Sequence, residues 1–415
     1  MSNQSKMKDV DTSIGAKLCS MCGLCMVDAW TPKESIQGCV FTIGWLGKQE
    51  EAVFGRERSL ENTDEVLFGI SRESFVARMK NPLPIPQIQF TGIITSIAKK
   101  AFETGLVEAV VTLHRSKEEY FWPVPVLARS VEDILAGGGS KPVLAQTLVS
   151  VEKAYQQGIK RLLVVGASCH VQNLREFQRR FPYLKGMDIY IVGIPCTDNI
   201  HPQKLRYVLS KISSNHETVR HYEFMQDFTV HLRHADGTLE RVPFFSLPQE
   251  LSSANVLTAC CRSCFDHMNS LADITVGYSG TPLDMEKMYQ RVMIRTDKGD
   301  TLRRLIADEL ETYPNTSEGD RREFVKTYAQ QQLDKMAQKD STEVKTGRAM
   351  SIEDGLAFAE YLYSTGPKCL EAARYGIETH IIRNYLFVKQ HYPHLLKTIV
   401  PKHVYQVLKD YDIPM

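Results

Sequence analysis

A chain of 415 residues is too long for one small core and predicts two or three domains. A hydrophobic share of 43% and a charged share of 24% suit a globular protein with a substantial interior, and a net charge of +1 excludes the basic footprint of a nucleic-acid binder. The polar opening MSNQSKMKDVDTSIGAK has no apolar core of signal-peptide type, and no apolar run approaches the ~20 residues of a membrane helix. A cytoplasmic protein without a transmembrane segment is therefore expected, and in that reducing setting ten cysteines point to metal ligation or catalysis rather than to disulfides.

The first feature along the chain is the run CSMCGLC. Cys19, Cys22 and Cys25 stand at a strict three-residue step, and Cys39 follows after thirteen intervening residues. Two-residue gaps let successive thiolates curl around one inorganic cluster, and the fourth ligand can arrive from a distance. The pattern resembles bacterial ferredoxin ligation, although the fourth cysteine comes later and no proline follows it. Four thiolates also make a zinc site, but zinc ligands usually come as two separated pairs.

Pro82, Pro84 and Pro86 suggest a boundary, giving an N-terminal iron–sulfur segment over 1–85. Beyond it TGIITSIAKKAFETG reads as a turn and an amphipathic helix, with Ile93, Ile97, Ala101 and Phe102 at helical spacing. LVEAVVTLH reads as a strand, SVEDILAGG as a short helix capped by Ser130, and SVEKAYQQGIKRLLVVGA as a helix followed by a strand. EFMQDFTVHLRHADGTLERVPFF forms a hairpin about Asp236 and Gly237, and ADITVGYSG is a further strand. This succession predicts an α/β core with a mixed sheet over 86–300, followed by a helical C-terminal region over 301–415. The charged stretch from Gln330 to Arg348 reads as a solvated helix or linker.

The remaining cysteines are dispersed. Cys169 and Cys196 each follow an apolar strand-like run, RLLVVGAS and IYIVGIP, while Cys261 and Cys264 form a CxxC pair. Loops at the carboxyl ends of parallel strands converge, so these four thiols could meet, though Cys169 and Cys196 could equally be small buried hydrophobes. Cys260 and Cys369 are read as non-ligands. No GxGxxG motif is present. Two segments could hold a phosphate-bearing cofactor: Thr91, Gly92, Thr95 and Ser96 at a helix start, and Gly137 to Gly139 with Ser140 and Lys141. Each is more often a cap or a loop.

Taken together, CSMCGLC, FTGIITSIA, GSKPVL, VGASCHVQNLR, CTDN, HYEFMQDF, VPFFSLP, CRSCFD, ADITVGY, GDRREFV and ARYGIETHIIRNYLFV resemble the deazaflavin-linked hydrogenase beta-subunit superfamily. Within it the chain is similar to the branch of ferredoxin-dependent divinyl (proto)chlorophyllide 8-vinyl reductases and plant 7-hydroxymethyl chlorophyll a reductases. The resemblance implies an oxidoreductase with two 4Fe–4S clusters and one FAD, reduced ferredoxin as donor and a tetrapyrrole substrate. It implies one cluster on Cys19, Cys22, Cys25 and Cys39, a second on Cys169, Cys196, Cys261 and Cys264, and a flavin near Thr91, Gly92, Thr95, Ser140 and Lys141. Peripheral membrane association would suit a hydrophobic pigment. Departures lie in the spacing before Cys39 and in MVDAWTPKESIQG.

Saturating a vinyl group takes two electrons and two protons, whereas ferredoxin delivers one electron at a time, and a flavin bridges the two regimes. The proton donor is not evident: His170, His221, Glu223 and Asp227 are candidates, each more often a structural hydrogen-bonding residue. Arg321, Arg322 or Arg383 could pair with a substrate carboxylate, and Phe224, Phe228, Phe244, Phe245 and Tyr278 could stack on a macrocycle or simply fill a core. Two further readings are an electron-transfer subunit of a deazaflavin-linked hydrogenase or dehydrogenase, and a zinc-binding interaction module.

Overall fold

Strands β2 (Ala109–Arg115), β4 (Arg161–Ala167), β5 (Asp188–Ile194) and β9 (Ile274–Gly277) are almost continuous apolar runs, the pattern of strands covered on both faces. They pair in parallel as neighbours in that order. The structure, a computed structural model, describes residues 18–24, 39, 46–85, 88–180, 182–252, 256–337 and 347–415. An eight-stranded mixed sheet is completed by antiparallel neighbours: β3 (Pro123–Ala128) beyond β2, then β10 (Gln290–Ile294), β1 (Glu73–Met79) and β11 (Leu310–Tyr313) beyond β9. This sheet draws strands from both sides of residue 85 and of residue 300.

Alternate side chains of the parallel strands point to opposite faces. Val111, Leu162, Val164, Ile189 and Ile191 meet Leu148, just before helix Val149–Gln156, Val151 within it, and Val171, Leu174 and Phe177 of helix Ser168–Arg180. Val110, Leu163, Val192, Ile274 and Val276 meet Ile93, Ile97, Ala101, Ile134 and Leu302 from helices Ile93–Glu103, Val131–Ala136 and Asp297–Arg304. Each such buried aliphatic chain stabilises the fold by roughly 1.5–3 kcal/mol relative to exposure.

A separate antiparallel sheet comprises β6 (Val219–Phe224), β7 (Thr229–His234) and β8 (Leu239–Pro243), with the expected turn at Asp236 and Gly237 between the last two. It packs on helix Pro202–Ile212. The short pair β12 (Ser317–Glu318) and β13 (Lys368–Cys369) precedes the longest helix, Leu370–His391. That helix is buried through Ile377, Ile381, Tyr385 and Val388, against helices Arg322–Ala337 and Lys402–Asp410 and against Cys261, Phe265 and Met268. Among the described residues, no helix is long and apolar enough to cross a membrane.

Candidate functional site

Because β2, β4, β5 and β9 run in parallel, their carboxyl ends share one edge of the sheet, where α/β proteins generally bind ligands. Cys169 lies one residue into the helix that starts directly after β4. Cys196 follows β5 by two residues and donates its N–H to the His267 carbonyl at 2.9 Å. Cys261 and Cys264 bracket a tight turn.

The structure brings these four thiols together. Enclosure pushes the Cys169 thiol well up, and Cys264, Cys261 and Cys22 add to that shift. Cys196 is raised for the same first reason, with further contributions from Cys261, Cys169 and Cys264. Burial likewise raises Cys264. Cys261 moves the other way, because the Cys260 thiol hydrogen-bonds to it. Donors are aimed at the sulfurs: Asn199 N–H reaches Cys261 Sγ at 3.3 Å, Asn199 Nδ2 reaches Cys196 Sγ at 3.4 Å, and Thr258 Oγ1 reaches Cys261 Sγ at 3.0 Å. Among the described residues no three His, Cys, Asp or Glu side chains close to metal-holding spacing.

The N-terminal run lies against this set. Leu148 N–H donates to the Cys22 carbonyl at 2.9 Å, Ser20 hydrogen-bonds Cys169, and Cys19 is exposed. Gly23 (φ +95) permits the approach, since a Cβ there would meet Gln146 and Val149 at 2.9 Å. Cys39 packs on the same core as Cys169 and Cys264. Cys25 lies outside the described residues.

The expected flavin residues come from two segments that also meet. Gly92 (φ +87) opens helix Ile93–Glu103, and Ile88 sits between it and Gly138. Thr91 is wholly buried and accepts from Met79 N–H at 3.0 Å, so its hydroxyl serves the fold, and Thr95 is buried in the first helical turn. Ser140 donates to Glu223 at 3.2 Å. Lys141 does not offer its charge outward: its ammonium bonds the carbonyls of Gly137, Gly138 and Gly139, while burial and the Arg115 charge push it well below its ordinary pKa. Arg115 bonds the carbonyls of Gly138 and Ser140 and stacks over Tyr120. Ser96 Oγ, Arg115 Nε, Tyr120 OH and His221 Nδ1 are buried without a hydrogen-bond partner among the described residues.

The four proton-donor candidates separate clearly. His170 has both ring nitrogens engaged, Nδ1 by Ala167 N–H at 3.3 Å and Nε2 by the Ala145 carbonyl at 3.0 Å, and burial pushes it down to about 4. Asp227 is fully engaged by Thr229, His231 and Arg241. His221 and Glu223, two apart on β6 and so on one face, pair at 3.1 Å. Burial pushes the Glu223 carboxyl up, but the charge of His221 and hydrogen bonds from His221, Gln89 and Ser140 outweigh it and hold it below its ordinary value. Tyr278, at the end of β9, stacks on Phe90 at 5.2 Å, and its phenol is raised by burial, then by Glu223 and Cys196.

Of the candidate arginines, Arg321 is held by Glu371 and Glu378, and Arg383 by both oxygens of Asp198, so neither is available to a substrate carboxylate. The aromatics form a continuous series instead of a closed core: Phe224, Phe244, Phe228, Phe245 and Phe358 touch in turn at 5.3, 6.4, 6.2 and 4.7 Å, and Phe224 is 46% exposed. Sequence reasoning passed over Gln89, Arg115, Asn199 and Asn384. Only Asn199, three residues after Cys196 in CTDN, carried a local signal.

This mixed α/β fold has known counterparts. The profile of the coenzyme F420 hydrogenase/dehydrogenase beta subunit matches twice, its N-terminal part over residues 74–152 and its C-terminal part over 159–317. A chain of the F420-reducing NiFe hydrogenase complex from Methanosarcina barkeri shares the fold with a TM-score of 0.54 and 23% identity, over 60% of this chain and 84% of that one. An uncharacterised protein of Nostoc sp. is 38% identical over 96% of this chain and 94% of its own length. The chloroplastic 7-hydroxymethyl chlorophyll a reductase of Oryza sativa subsp. japonica is 37% identical over 92% of this chain and 82% of its own. The chain belongs to the coenzyme F420 hydrogenase/dehydrogenase beta-subunit family.

Proposed function

We propose that this chain is a ferredoxin-dependent iron–sulfur flavoprotein that reduces a chlorophyll-type tetrapyrrole, with the 8-vinyl group of divinyl (proto)chlorophyllide as its target. The observation that carries the substrate class is the match to the rice 7-hydroxymethyl chlorophyll a reductase over 92% of this chain, whereas the coenzyme F420 hydrogenase beta subunit of Methanothermobacter thermautotrophicus aligns with 51% of it. The motif series resembles that of a branch holding both pigment activities. The rice relative favours a second reading, removal of the 7-hydroxyl, in which the same site acts on a different substituent.

A 4Fe–4S cluster on the dispersed thiols and an FAD suit the residues present, and a second cluster would fall to the N-terminal cysteines. Four converging thiols with N–H and O–H donors aimed at their sulfurs are a soft donor set with a hydrogen-bonded outer shell, as iron–sulfur ligation requires. Ser96, Arg115, Tyr120 and His221 carry buried polar atoms with no hydrogen-bond partner among the described residues, which suits a ligand bearing phosphates and a heteroaromatic ring. Bound there, these groups would supply one-electron relay and two-electron delivery. The chain itself supplies the proton. His221, with Nε2 on the Glu223 carboxylate, can hold one on Nδ1, and Ser140 and Gln89 fix the carboxylate. The aromatic series from Phe224 to Phe358 offers a partly open apolar face for a flat ring.

The test is anaerobic turnover of reconstituted protein with reduced ferredoxin, offering divinyl chlorophyllide and 7-hydroxymethyl chlorophyll in parallel. Formation of the 8-ethyl product supports the vinyl reading, and reaction of the hydroxymethyl pigment alone replaces it by the second. Turnover of neither pigment, with the flavin still bleached, leaves an electron-transfer subunit.

A further inference from the structure

Helix Leu370–His391 lies beyond the residues matched by the family profile, yet it reaches the dispersed cysteine set. Asn384 is wholly buried, and its Nδ2 donates to the Cys261 carbonyl at 2.8 Å and the Cys264 carbonyl at 2.6 Å, pinning both ends of the CRSC turn. His380 Nε2 lies 3.0 Å from the same Cys264 carbonyl. Arg383 forks onto Asp198 at 2.8 and 3.0 Å, and the next residue, Asn199, bonds both Cys196 and Cys261 sulfurs. The His267 ring meets that of His380 edge-on at 5.3 Å, while its carbonyl accepts from Cys196. One helix therefore holds the segments of three of the four thiols.

We propose that His380, Arg383 and Asn384 are positioning residues for the Cys169, Cys196, Cys261 and Cys264 set, and that the Arg383–Asp198 pair tunes the reduction potential of the cluster this set would hold. The inference rests on the iron–sulfur reading above. A cluster gains negative charge on reduction, so a guanidinium beside it favours the reduced form and a carboxylate opposes it. In a water-poor site neither effect is strongly screened. Arg262 stacks on the Phe387 ring at 4.0 Å and also feels the Asp198 charge, but the hydrogen-bonded partner of Asp198 is Arg383.

The test uses full-length protein reconstituted anaerobically with iron and sulfide, with metal counted per chain and the second cluster titrated by electron paramagnetic resonance. Asp198→Asn should raise the reduced-to-oxidised ratio at fixed poise about tenfold, which is 59 mV for a one-electron couple, and Arg383→Met should lower it by a similar factor. Arg383→Lys, which keeps the charge, should stay near wild type and serves if Arg383→Met fails to fold. Asn384→Leu should lower iron per chain. Shifts of the same sign for Asp198→Asn and Arg383→Met, or no shift at full iron content, overturn the proposal. Iron content unchanged by Cys196→Ala with Cys264→Ala overturns the cluster reading itself, and with it this one.

Discussion

Replacing Asn269 by alanine probes how the strand ends beneath the cysteines are held. The residue is wholly buried, and its Nδ2 donates to the carbonyls of Gly166 at 2.8 Å and Ile194 at 3.2 Å, at the carboxyl ends of β4 and β5. Its φ is +53, in the left-handed region that asparagine tolerates. Each carbonyl left without its donor costs roughly 1–3 kcal/mol. A side chain other than Asn, Asp or Gly adds about 1–2 kcal/mol in that conformation. The sum, about 3–8 kcal/mol, is a large part of the ~5–15 kcal/mol that holds a domain folded. Asn269→Gly loses the same hydrogen bonds without the conformational penalty, so it should be the less damaging change, by about 1 kcal/mol, against the usual order of Gly and Ala. Urea unfolding followed by circular dichroism reads both. A loss below about 1 kcal/mol for Asn269→Ala, or a glycine variant worse than the alanine one, would refute the reasoning.

Three further outcomes are expected. His221→Asn or Glu223→Gln should lower turnover about 10²–10⁴-fold while His170→Gln does not, and equal losses would remove His221 as proton source. His403 is pushed well below its ordinary range by burial first and by the Arg58 charge next, partly offset by its bond to the Phe265 carbonyl. The unfolded chain accepts a proton near pH 6.5 that the folded chain refuses, so this stability is complete above about 6.5 and falls by up to about 1.4 kcal/mol per pH unit below it. His403→Gln should flatten the fall of Tm between pH 7 and pH 5, and an unchanged slope would contradict it. Gly355→Ala adds a Cβ that overlaps Ser246 Oγ and lies 2.8 Å from Pro243, where helix Ile352–Thr365 packs on β8. Overpacking of roughly 1–3 kcal/mol should outweigh the ~1 kcal/mol gained in helix propensity, with partial recovery on adding Ser246→Ala, as read from urea midpoints.

The parallel strands were legible because RLLVVGA and DIYIVGI are buried on both faces and leave little polar interruption. The turn at Asp236 and Gly237 was legible from its own chemistry. β1 and β10 were not. Arg291 and Arg295 disguise the second, because their buried guanidiniums are satisfied by backbone carbonyls and hydroxyls: Arg295 reaches Ile70, Phe68, Met268 and Thr275. Such partners lie up to 227 residues away, beyond any local pattern. The same holds for Lys141, whose segment reads as a possible phosphate-cofactor site and whose ammonium instead closes the glycine loop beside it. The pairing of His221 with Glu223 could have been read from their i, i+2 spacing on a strand. The grip of Asn384 on Cys261 and Cys264 spans 123 and 120 residues and left no trace in the sequence.

The surroundings of the dispersed cysteines bear on whether the chain acts alone or hands electrons to another subunit. Cys261 is buried in the C-terminal core with Phe265, Met268 and Ile381, and Cys264 packs against that core, so this side of the set faces the interior of the same chain. Cys169 meets Ser20 and Cys22 of the N-terminal run, whose Cys19 is exposed. On the remaining flank Cys196 and Glu223 both act on Tyr278. On the iron–sulfur reading proposed above, the dispersed set lies between the N-terminal run and the Tyr278, Glu223 and His221 group. A subunit that only relays electrons would have no use for a buried His–Glu pair whose Nδ1 has no hydrogen-bond partner among the described residues. A reductase that must complete a carbon–hydrogen bond does.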